Sequence, residues 1–265
     1  MVFKEKLSAI IVGYNEASKL DACFRSILFC EQIIYIDLFS NDNSVDVAKK
    51  YTSEIFYSER TPSGELTQKK FINKPKNEWI LIIDPDEVID IDLKNQILSF
   101  FNNEINDEIG AIAVPWLFYY RGKRLNGTIW GYKNFKTILF KKSAVAFTNQ
   151  VHSARKIKSN YKIHYFKNLS NKNVLHHYWM DSKDQWFEKH KRYLNYEAES
   201  RILGQRKTSL FKLILAPFYY FFQSFILKRG FITRYGLFLS FYWAWYQTKA
   251  TFLHLKLKMY SEKKD

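Results

Sequence analysis

Three carboxylates end the segment Trp79-Ile-Leu-Ile-Ile-Asp84-Pro-Asp86-Glu87. The five apolar residues before them, three of which are β-branched, predict a strand that is buried on both faces. The carboxylates then lie at the edge where open α/β sheets bind ligands. Clustered carboxylates repel one another unless a cation joins them, and Mg²⁺ or Mn²⁺ binds oxygen ligands and bridges to phosphates. The segment therefore predicts a divalent metal site, and a solvated turn that caps the next helix is the alternative.

Two earlier apolar runs, residues 7–13 and 33–37, also end in polar side chains. A single polar strand end is usually a cap or a turn. Three of them, spaced as successive βα units, share one edge of a parallel sheet and so predict a binding site. The candidate residues of the two earlier strand ends are Tyr14, Asn15, Glu16, Asp37 and Asp42.

The elements that must position these residues alternate between strand and helix. Asn15 can cap a first helix, because Leu20, Cys23, Phe24 and Ile27 follow it at helical spacing. This alternation predicts an α/β fold with a Rossmann-like, mostly parallel sheet and right-handed crossovers. Further strands are predicted at 54–57, 79–83 and 109–114, and further helices at 44–51, 65–76 and 93–101.

Length and composition limit the class of protein. The 265 residues suit one large domain or a domain with an appendage, and a hydrophobic content of 47% is ample for a core. Residues 2–6 are short and charged, so no signal peptide is predicted. Cys23 and Cys30 belong to no Cys-x-x-Cys motif or Cys/His cluster, so we expect core thiols in a reducing cytosol.

The charge is distributed unevenly along the chain. Residues 1–110 contain 12 basic and 19 acidic residues, a net charge of −7, whereas residues 111–265 contain 29 and 7, a net charge of +22. This asymmetry predicts an anionic partner for the second half, which could be nucleic acid, anionic lipid or a phosphorylated glycan.

The last third of the chain is basic, aromatic and helical in pattern. Residues 184–201 predict an amphipathic basic helix, and two apolar runs follow at 210–227 and 231–257. Both runs fall short of the roughly 20 apolar residues of a spanning helix or are interrupted. We therefore expect C-terminal helices that lie in a membrane interface, with aromatic rings at headgroup level and cations toward anionic lipid. Packing on the α/β domain or in a homodimer is the main alternative, and helices that span the membrane are a less favoured one.

The ordered motifs resemble the GT-A-fold glycosyltransferases of family 2, in particular the bacterial branch that adds glucose or related sugars to lipopolysaccharide core. Four segments carry the resemblance over nearly the whole chain: Tyr14-Asn15-Glu16, Asp37 to Asp42, Gln68-Lys69, and Asp84-Pro-Asp86-Glu87. Val151-His152-Ser153 matches a Val-His-Glu element near the middle, and the basic aromatic tail also matches. Leu38-Phe39 and Ser153 depart from the family, which has small residues and a glutamate at these positions.

The resemblance implies a UDP-sugar donor, most simply UDP-glucose, and Mn²⁺ or Mg²⁺. Asp86 is then the expected metal ligand, with Asp84 beside it or nearer the ribose and His152 as a further ligand. Glu16 and Asp37 are expected at the uridine and ribose. The remaining expected donor contacts are Tyr14, Asn15, Asp42, Gln68 and Lys69, for which a turn cap at Asp42 and a surface lysine at Lys69 are the alternatives.

An inverting transfer needs a base that takes the proton of the acceptor hydroxyl. Glu87, His152 and Asp181 are the catalytic candidates that we carry forward. His176-His177-Tyr178 is a further candidate for contact with acceptor or phosphate. The second half is poor in acids, so the other possible bases there are Asp184, Glu188, Glu197 and Glu199.

We therefore predict a catalytic domain at 1–180, with a nucleotide-sugar half at 1–110 and an acceptor half at 111–180, and a membrane-associating region at 181–265. The expected partners are a UDP-sugar, a glycan or lipid-linked glycan acceptor and an anionic membrane, at the inner face of the plasma membrane. A homodimer is possible, and nucleic acid is not expected because the apolar runs are too continuous for a solvated groove. A sugar-nucleotide pyrophosphorylase is disfavoured because no Gly-rich loop follows the first strand, and a catalytically impaired scaffold is the remaining alternative.

Overall fold

The computed structural model describes residues 6–61, 64–147, 155–167 and 172–261. The chain divides into two compact units, which we call unit 1 (Met1–Leu117 with Phe135–Trp179) and unit 2 (Phe118–Asn134 with Met180–Asp265). The division into a catalytic domain at 1–180 and a membrane-associating region at 181–265 stays a prediction.

Unit 1 begins with strands and helices in alternation. These are β1 (Leu7–Gly13), α1 (Ala17–Ser26), β2 (Gln32–Asp37), α2 (Ser44–Ala48), β3 (Glu54–Tyr57), α3 (Gly64–Phe71) and β4 (Trp79–Ile83). The strands lie in the order β3-β2-β1-β4, and each neighbouring pair is parallel. In this register Gly13 pairs with Asp37 and Ile11 pairs with Ile83, so the three strands end at one edge.

Both faces of this parallel sheet are buried, as its apolar runs predicted. Alternate residues of one strand enter opposite clusters: Ile11 packs in the cluster that holds Phe24 of α1, whereas Ile10 packs in the other. In β4, Leu81 packs in the same cluster as Ile11, and Ile82 packs in the same cluster as Ile10. A strand that is covered on both sides has no polar face, and its first polar side chains appear where it ends.

The next elements are β5 (Glu87–Ile89), α4 (Ile91–Asn103), β6 (Ile109–Tyr120), β7 (Lys123–Arg124), α5 (Thr128–Gly131), β8 (Asn134–Lys141), β9 (Val145–Phe147), β10 (Arg155–Ile157), β11 (Lys162–Tyr165) and β12 (Leu175–Met180). The sheet continues from β4 in the order β8-β6-β12-β5, with β11 parallel to β6. The β4–β8 and β5–β12 pairs are antiparallel. The predicted α/β class is confirmed, with a parallel half followed by a mixed half.

Several predicted details of unit 1 are wrong. The helix predicted at 44–51 ends at Ala48. Asn15 does not cap α1: its φ of 55° is left-handed, and the cap position is Glu16. The helix predicted at 65–76 ends at Phe71, because Pro75 disfavours helical geometry just before it. The strand predicted at 109–114 extends to Tyr120, through Pro115.

Unit 2 contains the predicted C-terminal helices: α6 (Lys183–Leu203), α7 (Leu210–Phe222), a π-helical turn (Gln223–Leu227) and α8 (Gly236–Ser261). Arg201 of α6 is buried and joins α6 to α8, because its guanidinium donates to Gln247 at 2.6 Å and to Thr251 at 3.1 Å. The segment Leu210–Leu227 is long and apolar enough to cross a membrane by length and composition alone, with a mean hydropathy of 1.5 over 18 residues and 11% of them buried.

Candidate functional site

The loops after β1 and β2 are tied together by polar contacts at the carboxyl edge of the sheet. Asn15 exchanges two hydrogen bonds with Asn41: its Nδ2 donates to Asn41 Oδ1 at 2.7 Å, and its Oδ1 accepts from Asn41 N at 2.9 Å. Glu16 N donates to Ser44 Oγ at 2.9 Å. Asp42 accepts from Ala17 N at 3.1 Å and from Ser44 N at 2.9 Å. Asp42 therefore holds both loops as a turn cap, the alternative that its sequence position left open.

Asp37 is the fully buried last residue of β2. Its carboxylate accepts a hydrogen bond from Tyr35 Oη at 3.1 Å and another from Ser40 N at 2.8 Å. These two donors hold the carboxylate in place at the end of the strand. The unusual Phe39 beside it has a left-handed φ of 58° and stacks on Tyr57, with ring centroids 5.8 Å apart. Both rings are exposed.

Lys136 of β8 lies inside the carboxylate cluster that follows β4. Its Nζ donates to Asp84 Oδ2 at 2.6 Å and to Glu87 Oε2 at 2.7 Å. Glu87 Oε2 also accepts from Asp84 N at 2.9 Å, which closes the turn. Glu87 is fully buried and Lys136 nearly so, whereas 43% of the Asp84 side chain is exposed. The cluster is thus partly neutralised by the chain itself, and Asp84 is its accessible member.

The electrostatics follow from this geometry. Burial would lower the pKa of Lys136, but the adjacent Asp84 and Glu87 carboxylates outweigh it and raise that pKa. Burial raises the pKa of Glu87 even though Lys136 opposes the change. Asp84 has the opposite balance: burial would raise its pKa, but Lys136 lowers it. Asp84 is therefore an ionised group at the site, held in place by a fixed cation.

Asp86 points to a different partner. Its Oδ1 lies 3.2 Å from His177 Nε2 of β12, and both side chains are nearly fully buried. The imidazole of His177 stacks on Trp116 with an interplanar angle of 7° and a centroid distance of 5.1 Å. The hydrogen bond from Tyr178 N to Asp86 O, at 2.8 Å, fixes the alignment of β12 with this turn.

Asp86 and His177 fit a divalent metal in their chemistry. A carboxylate oxygen and an imidazole nitrogen form a donor pair that Mn²⁺ accepts. Among the residues that the structure describes, no group of three or more His, Cys, Asp or Glu side chains is arranged to hold a metal. A metal at this pair would therefore take its other ligands from phosphate oxygens and water, as Mg²⁺ often does.

Further polar and cationic groups belong to the same unit. The Arg60 guanidinium lies 3.2 Å above the centre of the Tyr14 ring. Arg155 of β10 is largely buried, and burial lowers its pKa while Glu65, Asp84 and Glu87 oppose the change. Gln68 is buried, and its Oε1 has no hydrogen-bond partner within the described chain. Lys69 beside it is half-buried.

The catalytic candidates His152 and Asp181 are not among the described residues of unit 1. His152 lies outside the described residues, as do Val151 and Ser153. Asp181 belongs to unit 2, where it is exposed and its backbone N donates to Gln185 Oε1 at the start of α6. Among the other acids of the second half, Glu197 is paired with Arg201 at 3.0 Å, whereas Asp184, Glu188 and Glu199 are exposed. The identity of the base stays a prediction.

Sequence reasoning missed Lys136 altogether and ranked His177 below His152. A signal for Lys136 exists, because a lysine within the apolar strand Asn134–Lys141 needs a buried counter-charge. His177 is one of two adjacent histidines on β12. The Nε2 atom of its neighbour, His176, lies 3.7 Å from Asp90 Oδ2 rather than near Asp86. The sequence alone could not tell which of the two faces the carboxylate cluster. The two cysteines are buried free thiols, as expected.

Comparison with known proteins identifies the family of the chain. A family model described as Glycosyl transferase family 2 matches residues 8–164. A protein of Rickettsia bellii (strain RML369-C) that is described as a glycosyltransferase is 25% identical over 233 residues, which cover 86% of this chain and 78% of the relative. The lipopolysaccharide core biosynthesis glycosyltransferase LpsC of Rhizobium meliloti (strain 1021) is 25% identical over 228 residues, covering 83% and 81%. Among solved structures, the mannosyltransferase PcManGT of Pyrobaculum calidifontis, in complex with GDP-Man and Mn²⁺, aligns with a TM-score of 0.49 and 11% identity over 78% of this chain and 66% of that one.

Proposed function

The chain belongs to glycosyl transferase family 2, and from that membership we propose that it moves a hexose, most simply glucose, from a UDP-sugar to a hydroxyl group of a lipopolysaccharide core or a similar lipid-linked glycan. The reaction is an inverting displacement that depends on Mn²⁺ or Mg²⁺. The reaction takes place at the cytoplasmic face of the plasma membrane.

One observation carries this proposal: three parallel strands deliver their polar ends to one edge of the sheet. The pairing of Gly13 with Asp37 and of Ile11 with Ile83 puts the ends of β1, β2 and β4 side by side. A nucleoside diphosphate needs acceptors for its ribose and base and positive charge for its phosphates. Asp37 and Asp84 are ionisable acceptors at this edge, and Arg155 and Lys69 are cations of the same unit.

In this mechanism Asp37 and Asp84 bind and orient the donor. Asp37 is held by Tyr35 and Ser40, and Asp84 by Lys136, so neither carboxylate has to be ordered when the donor binds. Such preorganisation lowers the cost of binding. Glu87, which is fully buried and bonded to both Lys136 and the Asp84 backbone, acts here as a positioning residue for Asp84.

Asp86 and His177 would hold the metal. When bound, a divalent ion neutralises the charge that develops on the departing diphosphate. Stacking on Trp116 fixes the imidazole plane of His177, which keeps the nitrogen directed at Asp86. His152 remains a predicted further ligand or base.

The proposed transfer is a single displacement at the anomeric carbon. The acceptor oxygen forms a bond to the anomeric carbon as the bond from that carbon to the diphosphate oxygen breaks, and UDP leaves with the electron pair. The proton of the acceptor hydroxyl passes to a protein base. The identity of this base stays a prediction from the sequence, with His152 and Asp181 among its candidates.

The choice of acceptor is supported by the similarity to LpsC, which covers about four-fifths of both chains. A basic second half suits an acceptor that carries phosphate, because residues 111–265 have a net charge of +22. These two observations favour lipopolysaccharide core over a neutral glycan.

Calorimetric titration of the full chain with UDP, first with Mn²⁺ and then with EDTA, tests the donor site. We expect binding that requires the metal, followed by transfer from UDP-glucose to a truncated lipopolysaccharide that mass spectrometry detects as one added hexose. UDP binding of equal strength in EDTA would refute the metal dependence. Absence of UDP binding in both conditions would refute the donor assignment, and a panel of other nucleotide sugars would follow.

A further inference from the structure

The helical hairpin of unit 2 has an exposed apolar face that neither helix covers. In α7, Phe211, Ile214 and Phe218 are 70%, 61% and 74% exposed. In α8, Phe241 and Trp245 are 59% and 44% exposed and lie one turn apart on one side of the helix. Contiguous exposed apolar surface of this kind marks an interaction site rather than a free surface.

Polar contacts join the π-helical turn to α8 within the hairpin. Gln223 accepts a hydrogen bond from Trp243 Nε1 at 3.1 Å, and Ser240 Oγ lies 3.0 Å from Ser224 Oγ. Further along α8, Gln247 and Thr251 bond to Arg201 of α6. Because α8 is held to protein on that side, only its other side is available to a partner.

Between the two helices the apolar face opens into a groove of about 950 Å³. Its lining includes Pro217, Phe218 and Phe222 of α7 and Trp245 and Phe252 of α8. This volume is at the upper end of the range of clefts that hold small molecules, about 300–1,000 Å³. The lining is mainly aromatic, with Thr248 and Lys249 as its polar members, so the groove suits a hydrocarbon chain.

The charge around this face identifies the partner. Residues 200–261 contain ten Lys and Arg and no Asp or Glu. The eight that are exposed are Arg206, Lys207, Lys212, Arg229, Arg234, Lys249, Lys256 and Lys258. Lys249 is also part of the groove lining. Cations next to exposed rings are the composition of helices that lie in an anionic membrane interface, where each cation is attracted to the lipid headgroups.

A second copy of the chain fits this face less well. A two-fold dimer would place the same surface against itself. Here that would bring the exposed cations of this segment toward their own copies without a single carboxylate from the same segment to pair with them. Like charges brought together across an interface oppose association.

We propose that the face formed by α7 and α8 docks on an anionic phospholipid bilayer, and that the groove between the two helices takes one phospholipid acyl chain. The helices lie in the interface, with Phe211, Phe218 and Phe241 inserted and the cations at headgroup level. This proposal concerns α7 and α8 alone and does not depend on the proposed sugar transfer.

Sedimentation of the full chain with vesicles tests the docking. We expect binding to vesicles of phosphatidylglycerol and phosphatidylcholine, weaker binding to pure phosphatidylcholine, and loss of binding as salt is raised. Phe218→Asp should weaken binding to the anionic vesicles by about tenfold or more, since burial of a Phe side chain contributes about 1.5–3 kcal/mol. Leu28→Asp is the matched control, because Leu28 is a 57% exposed apolar residue of unit 1.

The groove has its own test, in which bromine atoms on the phospholipid acyl chains quench nearby tryptophans. Trp245 lines the groove, whereas Trp243 is half-buried, is not among the lining residues and donates to Gln223. We expect Trp245→Phe to remove most of the quenching and Trp243→Phe to leave it. UDP binding measured on each variant shows whether unit 1 is intact, so a failure of docking is distinguishable from a failure of the donor site.

Several results would overturn the proposal. One is the absence of binding to anionic vesicles by the wild-type chain, and another is equal binding by Phe218→Asp. Quenching that persists in Trp245→Phe would rule out the groove as the acyl site. A dimer in solution that Phe218→Asp dissolves, without any vesicle binding, would assign the face to a second copy instead.

Discussion

Lys136 and Asp84, 52 residues apart in the chain, form an ion pair in which Lys136 Nζ lies 2.6 Å from Asp84 Oδ2. The same ammonium lies 2.7 Å from Glu87 Oε2, which is fully buried. Removing this cation leaves Glu87 as a buried, unpaired carboxylate, and breaking such a pair costs about 3–5 kcal/mol. We expect Lys136→Met to lower the free energy of unfolding by about 3 kcal/mol in urea denaturation.

The chain offers a matched control for this ion pair. Lys162 and Glu108 are also 2.6 Å apart, but 74% and 67% of their side chains are exposed. Lys162→Met should therefore lower the free energy of unfolding by less than about 1 kcal/mol. Lys136→Arg keeps the charge and should retain part of the stability. An equal decrease in the free energy of unfolding for Lys136→Met and Lys162→Met would show that Lys136 does not stabilise the buried carboxylate cluster.

The contact between Asp86 and His177 predicts which histidine matters for the metal. His177→Ala should weaken the metal-dependent binding of UDP by on the order of tenfold or more, the range seen when groups around a metal are removed. Calorimetric titration with UDP at several Mn²⁺ concentrations measures this.

His176 provides the control for that experiment, since it is the adjacent residue of β12 but lies 3.7 Å from Asp90. We expect His176→Ala to bind UDP and Mn²⁺ nearly as the wild-type chain does. If His176→Ala and His177→Ala lose affinity equally, the effect comes from damage to β12, and the assignment of His177 to the metal is wrong.

The parallel strands and their acidic ends could be predicted from the sequence because that information is local. A run such as Trp79–Ile83 is apolar throughout, since both faces of the strand are covered, and the first carboxylate after it marks the edge of the sheet. Asp37 and Asp84 could therefore be predicted from the sequence as candidate site residues. Only the ends of elements went wrong, as at Phe71, where the helix ends earlier than the pattern indicated.

The partners of those carboxylates could not be predicted in the same way. Lys136 reaches Asp84 only because β8 pairs with β4, and His177 reaches Asp86 only because β12 pairs with β5. Both pairings join strands far apart in the chain, and no local pattern specifies them. Asn15 illustrates the same point on a smaller scale: its side chain bonds to Asn41 in the next loop rather than capping its own helix.

Gly13 connects the packing of the sheet to the donor site. A Cβ atom at this position would lie 2.7 Å from Tyr35 Oη and 3.0 Å from the Tyr35 ring. Tyr35 is fully buried and donates a hydrogen bond to Asp37, so it cannot move away without disturbing that carboxylate. We expect Gly13→Ala to destabilise the fold by about 1–3 kcal/mol and to weaken UDP binding measured by calorimetry.

Gly64, the first residue of α3, is the control for this substitution because a Cβ there would meet no atom within 4 Å. Gly64→Ala should leave UDP binding unchanged and be neutral or stabilising by up to about 1 kcal/mol. Normal UDP binding by Gly13→Ala would indicate that Tyr35 does not hold Asp37 in a binding geometry.

The stability of unit 2 should depend on pH through His254. This imidazole is almost completely buried in α8, and its pKa is lowered by burial and by the positive charges of Arg201, Lys258 and Arg206. A histidine whose pKa is lower in the folded than in the unfolded chain binds its proton more tightly when unfolded. Its contribution to stability is therefore complete above about pH 6.5, the ordinary histidine pKa, and is lost as the pH falls below that value. We expect urea unfolding, followed by the helical circular dichroism signal, to show a loss of stability from pH 7 toward pH 5 that is smaller in His254→Gln. An identical loss in wild type and His254→Gln would assign the pH dependence to other groups.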